Sequence, residues 1–178
     1  MIDSEIFAEV FGGIVAKVRA LYDTANNKEP YYRYGHYQAI ADELMSRDKS
    51  PAGKFEKYPL VILGIDPEYS ETTVNDQQYS VSANIWIVGK TTKTMSTQDR
   101  FDQKFKGIIY PIYSLLKKEI INSKFVSSLG IQEVNPRSEL FPYWGTQSVQ
   151  GSQKQVLNDP LDALKFKVND LLINIVKC

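Results

Sequence analysis

The chain has 178 residues, of which 43% are hydrophobic and 24% charged, and its 21 basic and 21 acidic side chains give a formal net charge of zero. This is the composition of an ordinary globular protein, with no basic surface of the kind that nucleic acids or anionic membranes attract. The length favours a single domain, residues 1–178, that buries its core without disulfide or metal support. No apolar run approaches the roughly 20 residues of a membrane span.

The beginning and the cysteine content of the sequence indicate where the protein folds. Met1 to Glu5 is acidic rather than basic, so we expect no secretory leader and synthesis in the cytoplasm. The single cysteine, Cys178, permits no intramolecular disulfide, which suits a reducing compartment.

Two helices and a short aromatic strand are predicted in the first part of the chain. Apolar residues recur at helical spacing over residues 4–23, and Gly12-Gly13 within that helix predicts a closely packed neighbour or a bend. Tyr31 to Gly35 is expected to be a strand, and His36 to Arg47 a second helix.

Two further strands are predicted before the middle of the chain. Tyr58 to Ile65 is almost continuously apolar, which is typical of a strand buried on both faces. Asp66 to Asp76 is interpreted as a polar turn region. Gln77 to Val88 alternates with period two, so it predicts a long half-buried strand.

The strongest helical pattern lies between Ser96 and about Lys124. Ser96 and Asp99 resemble a capping box in which Asp replaces the usual Glu or Gln. Pro111 lies inside the helix and is expected to kink it, because its ring clashes with the carbonyl of Gly107. One apolar stripe runs along the helix: Phe101, Phe105, Ile108, Ile109, Ile112, Leu115, Leu116 and Ile120.

The last part of the chain predicts a long loop between two strands. Ile131 to Val134 is expected to be a short strand, and residues 135–160 to be a long protruding loop of the kind that usually has a function. Asp162 to Val176 alternates as a strand whose phase flips at Asn169-Asp170, which predicts a one-residue bulge. The predicted fold class is therefore α+β, with a mostly antiparallel sheet flanked by helices.

Motifs for catalysis or metal binding are incomplete in this sequence. Gly89-Lys90-Thr91 resembles the end of a phosphate-binding loop, but Asn84 stands where that loop needs its first glycine. His36 is the only histidine, and with Cys178 it provides too few ligands for a zinc site and no evident catalytic set. We therefore predict no catalytic residues, no cofactor and no metal.

The remaining candidate residues favour contact over chemistry. Asp42-Glu43 is interpreted as a solvated helix face, and Asp159 and Asp162 as parts of a turn, although a site made only of carboxylates stays open. Tyr143-Trp144-Gly145 could stack a sugar or a base. Aromatic residues in a loop more often anchor the loop or a partner chain.

Several ordered segments resemble small virion proteins of tailed phages that infect Bacteroidetes, including crAss-like phages. The resemblance covers about residues 31 to 178. The segments are Tyr34-Gly35-His36 before a helix, Arg47-Asp48-Lys49-Ser50, Lys57-Tyr58-Pro59-Leu60, Phe105 to Tyr113, Tyr143-Trp144-Gly145, and Leu157-Asn158-Asp159 through Phe166.

This resemblance implies a head–tail connector, neck ring or tail-terminator component with a tail-terminator-like fold. It further implies a homo-oligomeric ring, six- or twelve-fold, that contacts portal or adaptor proteins and other neck and tail rings in the virion, without specific nucleic-acid recognition. The interface residues that we predict are Tyr143, Trp144, Gly145, Leu157 and Asn158. The alternative is a small ligand-binding or enzymatic α+β protein with a carbohydrate or nucleotide near Trp144.

Overall fold

The computed structural model describes residues 6–22, 30–48, 58–65, 70–75, 78–123, 126–127, 138–144, 146–149, 152–155 and 160–174. Its helices are α1 (Ile6–Leu21), α2 (Tyr37–Asp48), α3 (Thr97–Arg100) and α4 (Tyr110–Ile121), with a π-helical segment (Phe101–Ile109) between the last two. Its strands are β1 (Tyr31–Gly35), β2 (Leu60–Gly64), β3 (Ser70–Asn75), β4 (Gln78–Lys90), β5 (Val126–Ser127), β6 (Ser138–Trp144), β7 (Thr146–Val149), β8 (Ser152–Gln155) and β9 (Leu161–Asn174).

The sheet is organised around the two longest strands, β4 and β9. The main path of the seven-stranded sheet is β1-β2-β4-β9-β5, while β3 also pairs with β4 and β6 also pairs with β9. Only the β1–β2 pair is parallel among the described pairings. The strands β7 and β8 form a separate antiparallel hairpin. The predicted α+β class, with a mostly antiparallel sheet flanked by helices, is confirmed.

One face of the sheet carries the larger hydrophobic core. α1 and the long helix, which runs from α3 through the π-helical segment to α4, pack there against alternate residues of β2, β4 and β9. The other face carries a smaller cluster, in which α2 contributes Ile40, Ala41 and Leu44. Every residue of β2 is buried, as the continuous apolar run predicts, because both faces of the sheet are covered at this strand.

The close neighbour expected at the Gly12-Gly13 pair is Tyr32 of β1. A Cβ atom on Gly12 would lie 3.2 Å from Tyr32 Cε1, so the missing side chain lets the ring approach the helix. The Tyr32 hydroxyl donates a hydrogen bond of 3.0 Å to the carbonyl of Ala8. The glycine therefore allows β1 to dock against α1.

The predicted bulge in the last strand is confirmed. Val81 of β4 pairs with Leu171, whereas Ala83 pairs with Val168, so β9 holds one extra residue around Asn169-Asp170. The extra residue brings both halves of the strand into phase with the same core. Without it, one half would turn its apolar residues away from the helices.

The long helix changes its hydrogen-bond pattern at the position of Pro111. The backbone is helical at Phe101 and at Tyr110, where the three segments join. The N–H of Tyr110 donates a hydrogen bond to the carbonyl of Phe105, five residues earlier, which is the spacing of a π-helix. Pro111 then occupies the first turn of α4, where its missing N–H is tolerated. The kink expected at Pro111 stays a prediction.

Two segments that the sequence presents as irregular contain strands. Ser70–Asn75, expected to belong to a turn, pairs with β4 as β3. Residues 138–144 of the expected long loop pair with β9 as β6, and residues 146–155 hold the hairpin. Edge strands expose much of their surface to solvent, so their residues need not alternate between polar and apolar. The expected strand Ile131–Val134 lies outside the described residues.

Candidate functional site

The structure describes two of the five predicted interface residues. Tyr143 and Trp144 end β6, while Gly145, Leu157 and Asn158 lie outside the described residues. Trp144 pairs with Leu161 of β9, after a register shift that begins at Phe141. The shift inserts one extra residue into β6 and turns the end of that strand back onto the sheet.

Trp144 belongs to the core of its own subunit. Only 8% of its surface is exposed. Its ring meets Tyr37 of α2 edge-on at 5.1 Å between centroids, and it packs tilted against Trp86 of β4 at 5.6 Å. This differs from the expected aromatic anchor projecting from a loop. An interface role for Tyr143 and Trp144 stays a prediction.

Tyr143 adopts a backbone conformation that is uncommon for a residue with a side chain. Its φ is 57°, in the left-handed region. Its N–H donates a hydrogen bond of 3.2 Å to Asp162 Oδ1, and the Arg100 guanidinium lies 3.8 Å from the centre of its ring. These two contacts offset the conformational cost of about 1–2 kcal/mol.

Arg100 and Asp162 form a buried ion pair beneath Tyr143. Arg100 Nη1 donates to Asp162 Oδ1 at 2.6 Å, and the two side chains are 4% and 0% exposed. Arg100 Nη2 also lies 3.4 Å from the carbonyl oxygen of Thr92. We call Arg100, Tyr143 and Asp162 the clasp, because they join the start of the long helix to β6 and β9.

The helix that carries Arg100 begins at a well-formed cap. Ser96 Oγ accepts a hydrogen bond of 3.1 Å from the N–H of Asp99, and the hydroxyl donates to the Asp99 carboxylate at 2.6 Å. The predicted N-cap is thus confirmed. The Asp99 carboxylate binds the Ser96 hydroxyl, whereas in a capping box the N-cap backbone N–H is bound instead.

The prediction that the last strand includes Asp162 is confirmed, so the interpretation of Asp162 as part of a turn is wrong. It lies in β9 opposite Gly89 and is fully buried. The alternation of the strand could have predicted this burial. Asp162 lies on the same face of the strand as Leu164 and Phe166, which belong to the core. A carboxylate at an inward position predicts a buried cation, and Arg100 could have been found as its partner. Among the described residues, Asp162 Oδ2 accepts no hydrogen bond.

Of the residues that could suggest catalysis, His36 lies apart from the clasp, whereas Gly89 pairs with Asp162 in the sheet. His36 is exposed at the start of α2, where its carbonyl accepts a hydrogen bond from Ile40. Gly89 and Lys90 end β4, and the N–H of Thr91 donates to the carbonyl of Pro160 rather than lining a helix start.

Asp42 and Glu43 of α2 lie at the surface or pair with a neighbouring cation. Asp42 is exposed, as the predicted solvated face requires, and Glu43 forms a half-buried ion pair of 3.1 Å with Arg33. Within the described ranges, no three His, Cys, Asp or Glu residues converge on a possible metal position. None of the helices in the described part of the chain has the length and apolar character needed to cross a bilayer.

The sheet has strands on both of its sides that have only one partner among the described residues. β1 and β3 lie on one side, beyond β2 and β4, and β5 and β6 lie on the other side of β9. Two of these strands carry exposed large apolar side chains: Val74 of β3 is 52% exposed and Leu140 of β6 is 41% exposed. We call Ser70–Asn75 the β3 edge and Ser138–Trp144 the β6 edge.

Two comparisons, with protein-family models and with curated proteins, find no match for this chain. Any function must therefore be argued from the residues and their arrangement.

Proposed function

We propose that the protein is a structural subunit of a ring in the head–tail connector or at the tail end of a tailed bacteriophage. The ring would join portal-side and tail-side proteins around the DNA channel of the virion. The observation that carries the proposal is that, among the described residues, strands on opposite sides of one sheet have only one partner each. A closed ring needs two different surfaces on each subunit, and edge strands present unpaired backbone groups to another chain.

The sequence resemblance to small phage virion proteins supports the same role. It covers most of the chain, including the segments that form β1, β2, the long helix and β9. It also implies the partners: other copies of the chain, portal or adaptor proteins, and neighbouring neck or tail rings. The zero net charge supports dense packing of many identical copies, because self-repulsion is low.

We propose a structural rather than an enzymatic role because the charged groups of the clasp bind each other. Arg100 and Asp162 are buried, and the Tyr143 ring lies against the guanidinium. Substrate would have to displace an ion pair of 2.6 Å to reach either group. The clasp is therefore better suited to holding elements together than to reacting.

The alternative is a ligand-binding or enzymatic α+β protein with a carbohydrate or nucleotide near Trp144. A stacking ligand needs a free ring face. Trp144 contacts Tyr37 and Trp86 and is largely buried, so it has little surface for such a ligand.

The native mass of the purified protein separates the two functions. We expect one discrete species that contains many copies of the 20.3 kDa chain. A monomer at micromolar concentration would contradict the ring. A monomer whose melting temperature rises with a carbohydrate or a nucleotide, and falls back when Trp86 is replaced by Ala, would support the alternative.

A further inference from the structure

We infer that the ring contact joins the β6 edge of one copy to the β3 edge of the next, so that the sheet continues from subunit to subunit. The inference rests on the proposed ring and names its contact. The occupant of each edge is therefore a second copy of this chain. The contact is made through the regular part of the β6 edge, Ser138–Phe141, and not through Tyr143 and Trp144 at its end.

Exposed apolar side chains mark these two edges. Among the described residues, the large hydrophobic side chains that are most exposed are Leu21, Val74, Ile121 and Leu140. Leu21 and Ile121 end helices, where fraying exposes side chains. Val74 and Leu140 lie on strands at opposite sides of the sheet, so one contact between different edges would remove both from water.

The two edges also match in length. β3 pairs regularly with β4 from Ser70 to Thr73 before its register shifts, and β6 pairs regularly with β9 from Ser138 to Phe141 before its own shift. Each regular stretch therefore has four residues. A register shift follows each stretch, so both edges offer a neighbouring copy a regular ladder of the same length.

The other sheet edges are less suitable. β1 has no exposed residue, and two of its side chains are engaged: Tyr32 with α1 and Arg33 with Glu43 of α2. β5 comprises only Val126 and Ser127, which is too short for a specific strand pair. By contrast, Thr72 and Thr73 of β3 are exposed, and so are Ser138 and Glu139 of β6.

Pairing between different edges has a consequence that pairing between identical edges lacks. A contact from β6 to β6, or from β3 to β3, consumes the surface and stops at two copies. A contact from β6 to β3 leaves one free edge at each end of every oligomer, so assembly continues until the ring closes.

The test replaces each exposed apolar residue by lysine and reads the native mass. Val74→Lys and Leu140→Lys place a charge at the inferred contact, and Leu21→Lys and Ile121→Lys are matched controls on helix ends. We expect each edge variant to reduce the ring population at least tenfold at the same chain concentration. The controls should assemble like the wild type. All four positions are already about half exposed, so the fold should tolerate lysine, which a circular dichroism spectrum of each variant would check. Val74→Ser and Leu140→Ser provide a milder pair should a lysine variant unfold.

Mixing the two edge variants gives the sharper result. A Val74→Lys subunit keeps an intact β6 edge, and a Leu140→Lys subunit keeps an intact β3 edge. An equimolar mixture, with one variant isotopically labelled, should therefore form a two-chain species that contains one copy of each. Neither variant alone should form it.

Several outcomes would overturn the inference. They are a ring that survives both edge variants, a ring that the helix controls disrupt equally, or two-chain species of a single edge variant. In each of these cases a wild-type ring would still support the proposed function. A monomeric wild type would instead refute the ring and this contact together.

Discussion

Removing the Arg100 side chain should lower the unfolding free energy by about 3–5 kcal/mol, because Asp162 would remain buried as an uncompensated charge. The ion pair measures 2.6 Å and both side chains are almost fully excluded from water. This loss includes the contact between the guanidinium and the Tyr143 ring, which contributes roughly 0.5–2 kcal/mol. In a chain of this size each kcal/mol lowers the melting temperature by roughly 2–4 °C, so Arg100→Ala should melt about 6–20 °C below the wild type.

Urea unfolding at a fixed chain concentration measures this loss, since assembly would otherwise change the apparent stability. Lys106→Ala is the matched control. It removes an exposed ion pair with Asp102, 2.9 Å long and one helical turn away, and should leave the urea midpoint almost unchanged because solvent screens the pair.

A double variant separates buried charge from general packing. Arg100→Met combined with Asp162→Leu leaves no charge in the clasp and should recover a large part of the loss, as buried apolar replacements do. A cost below about 1 kcal/mol for Arg100→Ala would refute the reasoning. A double variant that is less stable than Arg100→Ala would also refute it.

Three further measurements follow from the core and its tyrosines. Phe105→Ala should cost about 3–5 kcal/mol, because this side chain of the long helix is buried, and a loss under about 1 kcal/mol would mean that it faces solvent or a partner. Trp144→Ala should lower the unfolding free energy, measured in urea, by a similar amount, because this side chain is also buried. A variant that stays stable but assembles less well would instead show that Trp144 is an interface residue. Burial raises the pKa of Tyr32, Tyr37 and Tyr113, so the folded state keeps protons that the unfolded state releases above about pH 10. These groups should therefore leave stability unchanged below that pH and lower it above, by up to about 1.4 kcal/mol per pH unit for Tyr32 and by less for Tyr37 and Tyr113, which are more exposed to solvent. Tyr32→Phe should make that alkaline decline shallower, and an unchanged slope would contradict the assignment.

The central elements could be predicted because their surroundings impose a clear period on the sequence. β4 has one face against the helices, so its residues alternate, and β2 is covered on both faces, so its residues are continuously apolar. The parity flip at Asn169-Asp170 located the bulge in β9, because both halves of that strand face one core. The long helix could likewise be predicted from its stripe of apolar residues and from its N-cap, Ser96.

The edges and the clasp could not be predicted in the same way. In the part of the chain that the structure describes, β3 and β6 each pair with a strand on one side only, so polar residues are tolerated at many of their positions. Trp144 follows a left-handed residue and an extra residue in β6, and this local geometry depends on Asp162, which is distant in sequence. The π-helical segment likewise leaves no pattern that differs from that of an α-helix.

Electron micrographs of the purified wild-type protein test the central claim most directly. The account predicts closed rings of one diameter with an open centre, and class averages with the six- or twelve-fold symmetry that the sequence resemblance implies. Closure matters, because the same opposite-edge contact produces open filaments when its rotation does not close. Particles the size of a single 20.3 kDa chain, or of a two-fold pair, would contradict the account.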